Sequence, residues 1–156
     1  MAQPQPQQPM PRDHEELDFS IEQEDWNRYE LKDGTTIRGR IILQKVIRDP
    51  YNKNSLSFKT SPPLWVVYAP VTSRGEPNIK PGERIVGKKY EVHATTNHEP
   101  WNVYRIIKTG QKLKIKLSVT EVSRFLDKFD ADGMPVYDVP SGVSVAIANP
   151  ENATGA

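Results

Sequence analysis

The sequence predicts a mainly β fold: an internally duplicated small β-sandwich or barrel with pseudo-two-fold symmetry, preceded by a disordered N-terminal arm. Three observations predict it. β-branched and aromatic residues alternate with polar ones through the middle of the chain, and Pro or Gly punctuates often. A Trp-Asn-x-Tyr stretch occurs twice, at Trp26–Tyr29 and Trp101–Tyr104, in a chain with only three tryptophans. The length of 156 residues leaves room for one domain of ordinary size or two very small ones.

Residues 1–16 form a Pro/Gln tract running into acidic side chains, with too little apolar surface to offset the entropy of ordering. The first β repeat is assigned to residues 17–70. Its hairpin turns at Asp33-Gly34, and placing Gly34 in a left-handed turn pairs Tyr29 with Ile37. That register gathers Tyr29, Leu31, Ile37, Gly39 and Ile41 on one apolar face. The strand after the turn is read as continuous to Arg48, with the apolar phase slipping at Val46. Such a slip marks a bulge or a change of facing partner.

Residues 71–98 are read as a connector, with an extra strand at 87–96. The second repeat spans residues 99–150. Aligning Glu24 with Glu99 pairs the Trp, Asn and Tyr of both copies; after one inserted residue, Ile107, Gly34 meets Gly110, Val46 meets Val122 and Arg48 meets Arg124. Residues 118–129 carry a helical signature, with Ser118 and Glu121 as a capping box and an apolar stripe through Val122, Phe125 and Phe129. The matching segment of the first copy holds Pro50 and a β-branched run, so residues 112–124 are read as a strand. "SPPLWVVYAP" (61–70) and "SGVSVAIANP" (141–150) are of equal length and both end in Pro. Residues 151–156 are read as a flexible tail. Of the two arrangements, two separate modules or one shared core, the short halves favour the shared core.

The chain has no cysteine, which excludes disulfides, thiolate nucleophiles and Cys-ligated metal. No apolar run is long enough to cross a bilayer as a helix, and the N-terminal residues lack a secretory pattern, so the expectation is a cytoplasmic protein without membrane contact. The net charge of +1 hides a segregation: −6 over residues 1–33, +11 over 34–128 and −4 over 129–156. A basic body between acidic ends can attract a polyanion or bind its own tails.

Several motifs resemble chemical sites and fall short. Gly82–Lys89 approaches a P-loop but has Lys89 where a magnesium-binding hydroxyl belongs, and a strand-like run follows instead of a helix. Asp130–Gly133 resembles the start of a calcium loop without its flanking ligands and reads as a turn. His93 and His98 are a pair without a third metal ligand in register. No catalytic residues, cofactor or metal site are assigned.

The strongest candidate is a basic ridge. Arg38 and Arg40 lie opposite the apolar face of the first long strand, and Lys112, Lys114 and Lys116 occupy the same phase in the second; Arg48 and Arg124 close the strands. Such rows can track phosphates, and they also protect exposed strands from edge-to-edge pairing. Trp26 and Trp101 are expected as core or core-edge anchors, whereas Trp65 has no counterpart in the second copy and is the candidate aromatic for a partner.

The run Tyr29–Ile41 is similar to the first hairpin of Sm-like small β-barrels. The second signature of that family has no counterpart, since Ile37-Arg38-Gly39 lies within this first hairpin. The resemblance is confined to the hairpin and implies no RNA-binding residues. The function expected from the sequence is therefore a non-enzymatic binding or assembly module, with a protein or another copy of itself as partner. Nucleic-acid binding through Arg38, Arg40, Lys114 and Lys116 is the second reading.

Overall fold

The computed structural model describes residues 14–49, 51–52 and 55–150. Among them the chain is mainly β, with a single short 3-10 turn at Val71–Ser73. The predicted disorder of residues 1–13 and the flexible tail at 151–156 lie outside the described residues. The predicted arm ends earlier than expected, because strand β1 (Glu15–Leu17) already holds Glu15 and Glu16.

β2 (Phe19–Gln23) leads to the first hairpin, β3 (Asn27–Leu31) and β4 (Thr36–Arg40). β5 (Leu43–Arg48), β6 (Leu56–Thr60) and β7 (Leu64–Tyr68) follow. After a long loop come β8 (Lys89–Glu91) and β9 (Ala94–His98), so residues 87–96 carry two short strands where one was expected. The second hairpin is β10 (Asn102–Ile106) with β11 (Lys112–Val119). β12 (Ser123–Phe129), β13 (Pro135–Asp138) and β14 (Ser141–Ala148) complete the described fold.

These strands form four antiparallel sheets in the orders β7-β4-β3-β9, β14-β11-β10-β2, β1-β5-β6 and β13-β12-β8, and none closes into a barrel. The first hairpin has the predicted register, with Tyr29 opposite Ile37. Gly34 takes φ +86° in the turn, a conformation that costs glycine no Cβ clash. The pairing of the leading strands is crossed. β2 precedes β3 in the chain yet lies on β10, and β9 precedes β10 yet lies on β3.

The apolar residues gather in two clusters instead of one shared core. The first joins Leu17, Ile41, Leu43 and Val46 to Tyr104, Ile106, Leu113, Ile115 and Leu117. The second joins Tyr29, Leu31 and Ile37 to Val92 and Val122. Each cluster therefore draws on both ends of the sequence.

The apolar phase slip at Val46 is a bulge: the pairing of β5 with β6 shifts register between Leu43 and Lys45, while Leu43 and Val46 both face the first cluster. Ile37 faces the second cluster, while Ile41, Leu43 and Val46 face the first. The strand read as continuous to Arg48 breaks after Arg40 and resumes at Leu43 in another sheet. Likewise the predicted strand 112–124 is interrupted between Val119 and Ser123, where the chain leaves the first cluster for Val122 in the second. The helical signature at 118–129 yields to this sheet change, and Asp127 takes φ 56° within an irregular β12.

Candidate functional site

The repeated Glu-x-Trp-Asn-x-Tyr stretch builds two crossed clasps. Tyr29 and Asn27 alternate into the interior from β3, so their polar ends need partners there. Asn27 Nδ2 donates to the Leu117 carbonyl at 2.6 Å and to the Tyr29 hydroxyl at 3.0 Å. The Tyr29 hydroxyl donates to Glu99 Oε2 at 2.8 Å, and the same oxygen accepts the Val119 N–H at 2.7 Å. From the other side, the Tyr104 hydroxyl donates to Glu24 Oε2 at 2.8 Å, and Asn102 Oδ1 accepts the Asp25 N–H at 3.1 Å. Burial first, and the acceptor carboxylate second, push both phenols above the ordinary tyrosine range.

Because Asn27 and Tyr29 take the inward phase, Trp26 falls outside it. Of the two tryptophans expected as core or core-edge anchors, Trp26 is half-buried at the edge and Trp101 is exposed, and neither belongs to an apolar cluster. Cations cover both. The Arg38 guanidinium lies 4.9 Å from the Trp26 ring centre and 5.3 Å from that of Tyr68, and it donates to the Tyr68 hydroxyl at 3.1 Å. Arg40 sits 5.1 Å from Trp26, and the Lys116 ammonium sits 5.7 Å from Trp101.

The predicted basic ridge is distributed over four sheets: Arg38 and Arg40 on β4, Arg48 on β5, the three lysines on β11 and Arg124 on β12. Much of its charge is answered internally. Arg40 pairs with Glu24, and Lys112 with Glu22 at 3.2 Å. Arg124 lies 3.4 Å from Asp33 and donates to the Ser73 carbonyl at 3.3 Å. Lys114 is exposed, and the half-buried Arg48 keeps a buried Nε with no hydrogen-bond partner among the described residues.

Arg124 belongs to a second polar cluster under the first hairpin turn. Asp33 Oδ2 also accepts the Tyr137 hydroxyl at 2.5 Å, and Asp33 Oδ1 accepts the Thr35 N–H at 3.0 Å. Burial pushes Asp33 up, but the hydrogen bonds from Tyr137 and Thr35, with the Arg124 charge, outweigh it and hold the carboxyl below its usual range.

The remaining motifs resolve locally. Asp130 Oδ1 accepts the N–H groups of Asp132 at 2.9 Å and Met134 at 3.0 Å, a side-chain-capped turn completed by Gly133. Gly82 lies in a turn, and the chain then runs into β8. His93 stands 3.3 Å from Glu91 and His98 stands 4.0 Å from Asp25, so the two histidines face different carboxylates. A groove of about 200 Å³ runs past Tyr29, Glu91, His93, Asn97 and Glu121.

Trp65, expected on the surface, turns inward. It lies half-buried against both clusters, and its ring occupies the space above Gly39, where a Cβ would stand 2.1 Å from a ring carbon. The surface missed by sequence reasoning is β14. Val143, Val145 and Ile147 are 44%, 40% and 46% exposed, although they pair with the buried Leu117, Ile115 and Leu113 of β11. The signal was legible in principle: residues 141–148 alternate Val or Ile with small residues and contain no charge.

No protein-family model, curated protein or solved structure matches this chain.

Proposed function

We propose that this chain is a non-enzymatic binding and assembly module, built by internal duplication and engaging a protein partner through a sheet edge. The duplication is supported by the equivalent sheet orders β1-β5-β6 with β8-β12-β13, and β7-β4-β3-β9 with β14-β11-β10-β2. Pairings fall at equivalent positions too: Glu15 lies opposite Arg48, as Tyr90 lies opposite Arg124. The pseudo-two-fold relation then places the crossed clasps at equivalent positions in each half.

The observation that carries the partner class is β14, an outer strand with an exposed apolar row and no charged side chain. Exposed edges of this kind accept another strand, the backbone giving affinity and alternate side chains giving selectivity. Nucleic-acid binding remains the second reading, favoured by exposed Lys114 and by Lys116 stacked on exposed Trp101.

Anisotropy titrations separate the two. A labelled peptide of residues 139–150 is expected to bind the intact chain with little dependence on salt. A labelled single-stranded oligonucleotide is expected not to bind at low salt. Salt-dependent oligonucleotide binding that is lost in Arg38→Ala with Lys114→Ala, together with no peptide binding, replaces the first reading by the second.

A further inference from the structure

We propose that two copies of this chain pair antiparallel along β14, with the two-fold axis beside Val145, so that two four-stranded sheets become one continuous sheet. The proposal rests on the assembly reading above and specifies its partner.

β14 is an end strand of β14-β11-β10-β2, and among the described residues no strand lies on its outer side. Its apolar row does not fail to pack because it faces away from the core. It lies on the same face as Leu113, Ile115 and Leu117, each nearly fully buried, and remains exposed because the sheet runs out beside it. The row is therefore the unfinished margin of a core, and whatever extends the sheet also extends that core.

The other end strands carry devices against pairing that β14 lacks. β2 contains Glu22, β6 Lys59, β13 Asp138, β1 Glu15 and Glu16, and β8 Lys89 and Glu91. β9 ends in His98 beside Glu99. β7 is uncharged and has flanking prolines like those of β14, but it is only five residues long and turns Trp65 and Val67 against the interior. β14 has eight residues, no proline, no charge and an unbroken register along β11.

The lack of charge admits a second copy as occupant, and the symmetric apolar row favours it. An antiparallel strand meeting itself brings each side chain opposite one from the same sequence, so a strand with charges of one sign meets repulsion and an uncharged one does not. Side chains on one face stay on that face across such a two-fold axis. A register centred on Val145 places Val143 opposite the partner's Ile147 and Val145 opposite the partner's Val145. A register centred on Ser144 instead sets Ile147 against the partner's Ser141 and loses an apolar pair.

The chain's own undescribed segments fit poorly. Residues 1–13 contain Pro4 and Pro6 in one alternation phase and Pro9 and Pro11 in the other, so either phase lacks ladder donors. Residues 151–156 contain no large apolar side chain to cover the row.

Sedimentation velocity over a wide concentration range tests the proposal, with Val145→Lys as the disrupting variant and Val145→Cys as the reporter. The native chain has no cysteine, so a single introduced thiol reports one contact. Directly opposite residues of an antiparallel pair fall within disulfide reach. The expected result is a monomer–dimer equilibrium, at least tenfold weaker in Val145→Lys, with Val145→Cys forming a disulfide-linked dimer and Thr95→Cys on β9 forming none. The cysteine variant keeps the test decisive if the lysine variant fails to fold. An oligomer unaffected by Val145→Lys and not linked through Val145→Cys overturns the β14 interface while leaving assembly intact. A monomer at every concentration that still binds the strand peptide overturns self-pairing and keeps the edge as a site for another protein. A monomer that binds no peptide overturns both.

Discussion

The Tyr104 hydroxyl donates to Glu24 at 2.8 Å across 80 positions of sequence, and Tyr29 donates to Glu99 at the same distance across 70. Each carboxylate sits just ahead of one Trp-Asn-x-Tyr stretch and holds the tyrosine of the other. The repeated stretch is thus a reciprocal fastening between the two ends of the chain.

Removing one clasp is expected to destabilise the whole fold. A hydrogen bond to a charged acceptor contributes about 1.5–3 kcal/mol, so Tyr29→Phe should lower the unfolding free energy by a loss in that range, read from urea titration. Glu99→Ala should cost more than Tyr29→Phe, because it also orphans the Val119 N–H, which donates to Glu99 at 2.7 Å. Equal effects of the two substitutions would show that the Val119 contact contributes no more than the Asn27–Tyr29 hydrogen bond that Tyr29→Phe also removes.

Gly39 is required by the Trp65 ring and not by its backbone angle. A Cβ there meets ring carbons at 2.1 and 2.4 Å, so Gly39→Ala must displace Trp65 from between the two clusters. The expected cost is about 1–3 kcal/mol by thermal or urea unfolding. Trp65→Leu should be destabilising alone, yet the double variant should be less unstable than the sum of the two. Strict additivity would refute the steric account.

Stability should fall at both ends of the pH range for separate reasons. Asp33 is held below its usual value of 3.8 in the folded state. Its contribution is present above the unfolded value and is lost as pH falls through the folded one. Asp33→Asn should flatten this acid limb. Tyr29, Tyr104 and Tyr137 are raised above 10.0, so the unfolded chain ionises first and stability declines as pH rises past that value. Urea midpoints against pH, with tyrosinate absorbance followed in parallel, check both limbs. Ionisation of these three tyrosines before unfolding would contradict the alkaline assignment.

Splitting the chain in the loop between β7 and β8 should give fragments that fold together and not as separate monomers. Fragment 1–76 keeps Tyr29, Leu31 and Ile37 but loses Val92, Val122 and the β9 strand on which β3 pairs. Fragment 77–156 keeps β10 and loses β2. Circular dichroism and dispersed amide spectra should appear on mixing at equal ratio. A fragment that folds as a monomer would contradict the crossed pairing; a fragment that folds as a dimer would instead agree with the proposed duplication.

The β class, the hairpin at Gly34 and the inward set Tyr29, Leu31 and Ile37 were legible because strand alternation and turn chemistry act over a few residues. The same local logic marked Val46 and Val122 as places where the apolar phase changes. It misplaced Trp101 and Trp65, because the sizes of two indoles do not say which alternation phase points inward; the neighbouring Asn102 and Gly39 decide that. The ridge at Arg38, Arg40 and Lys112–Lys116 was legible as charge, but its acidic partners Glu24 and Glu22 come from segments that alternation could not place beside it.

By itself, the sequence determined the β class, the turns at Gly34 and Gly110 and the repeated Trp-Asn-x-Tyr stretch, since those follow from residue types and side-chain periodicity along a short stretch of backbone. Only the tertiary structure decided that β2 lies on β10 and β9 on β3, that two cores form from both ends of the chain, and that β14 is left as an uncovered margin. Strand pairing depends on which edges are available when the whole chain packs, and no single strand carries that information.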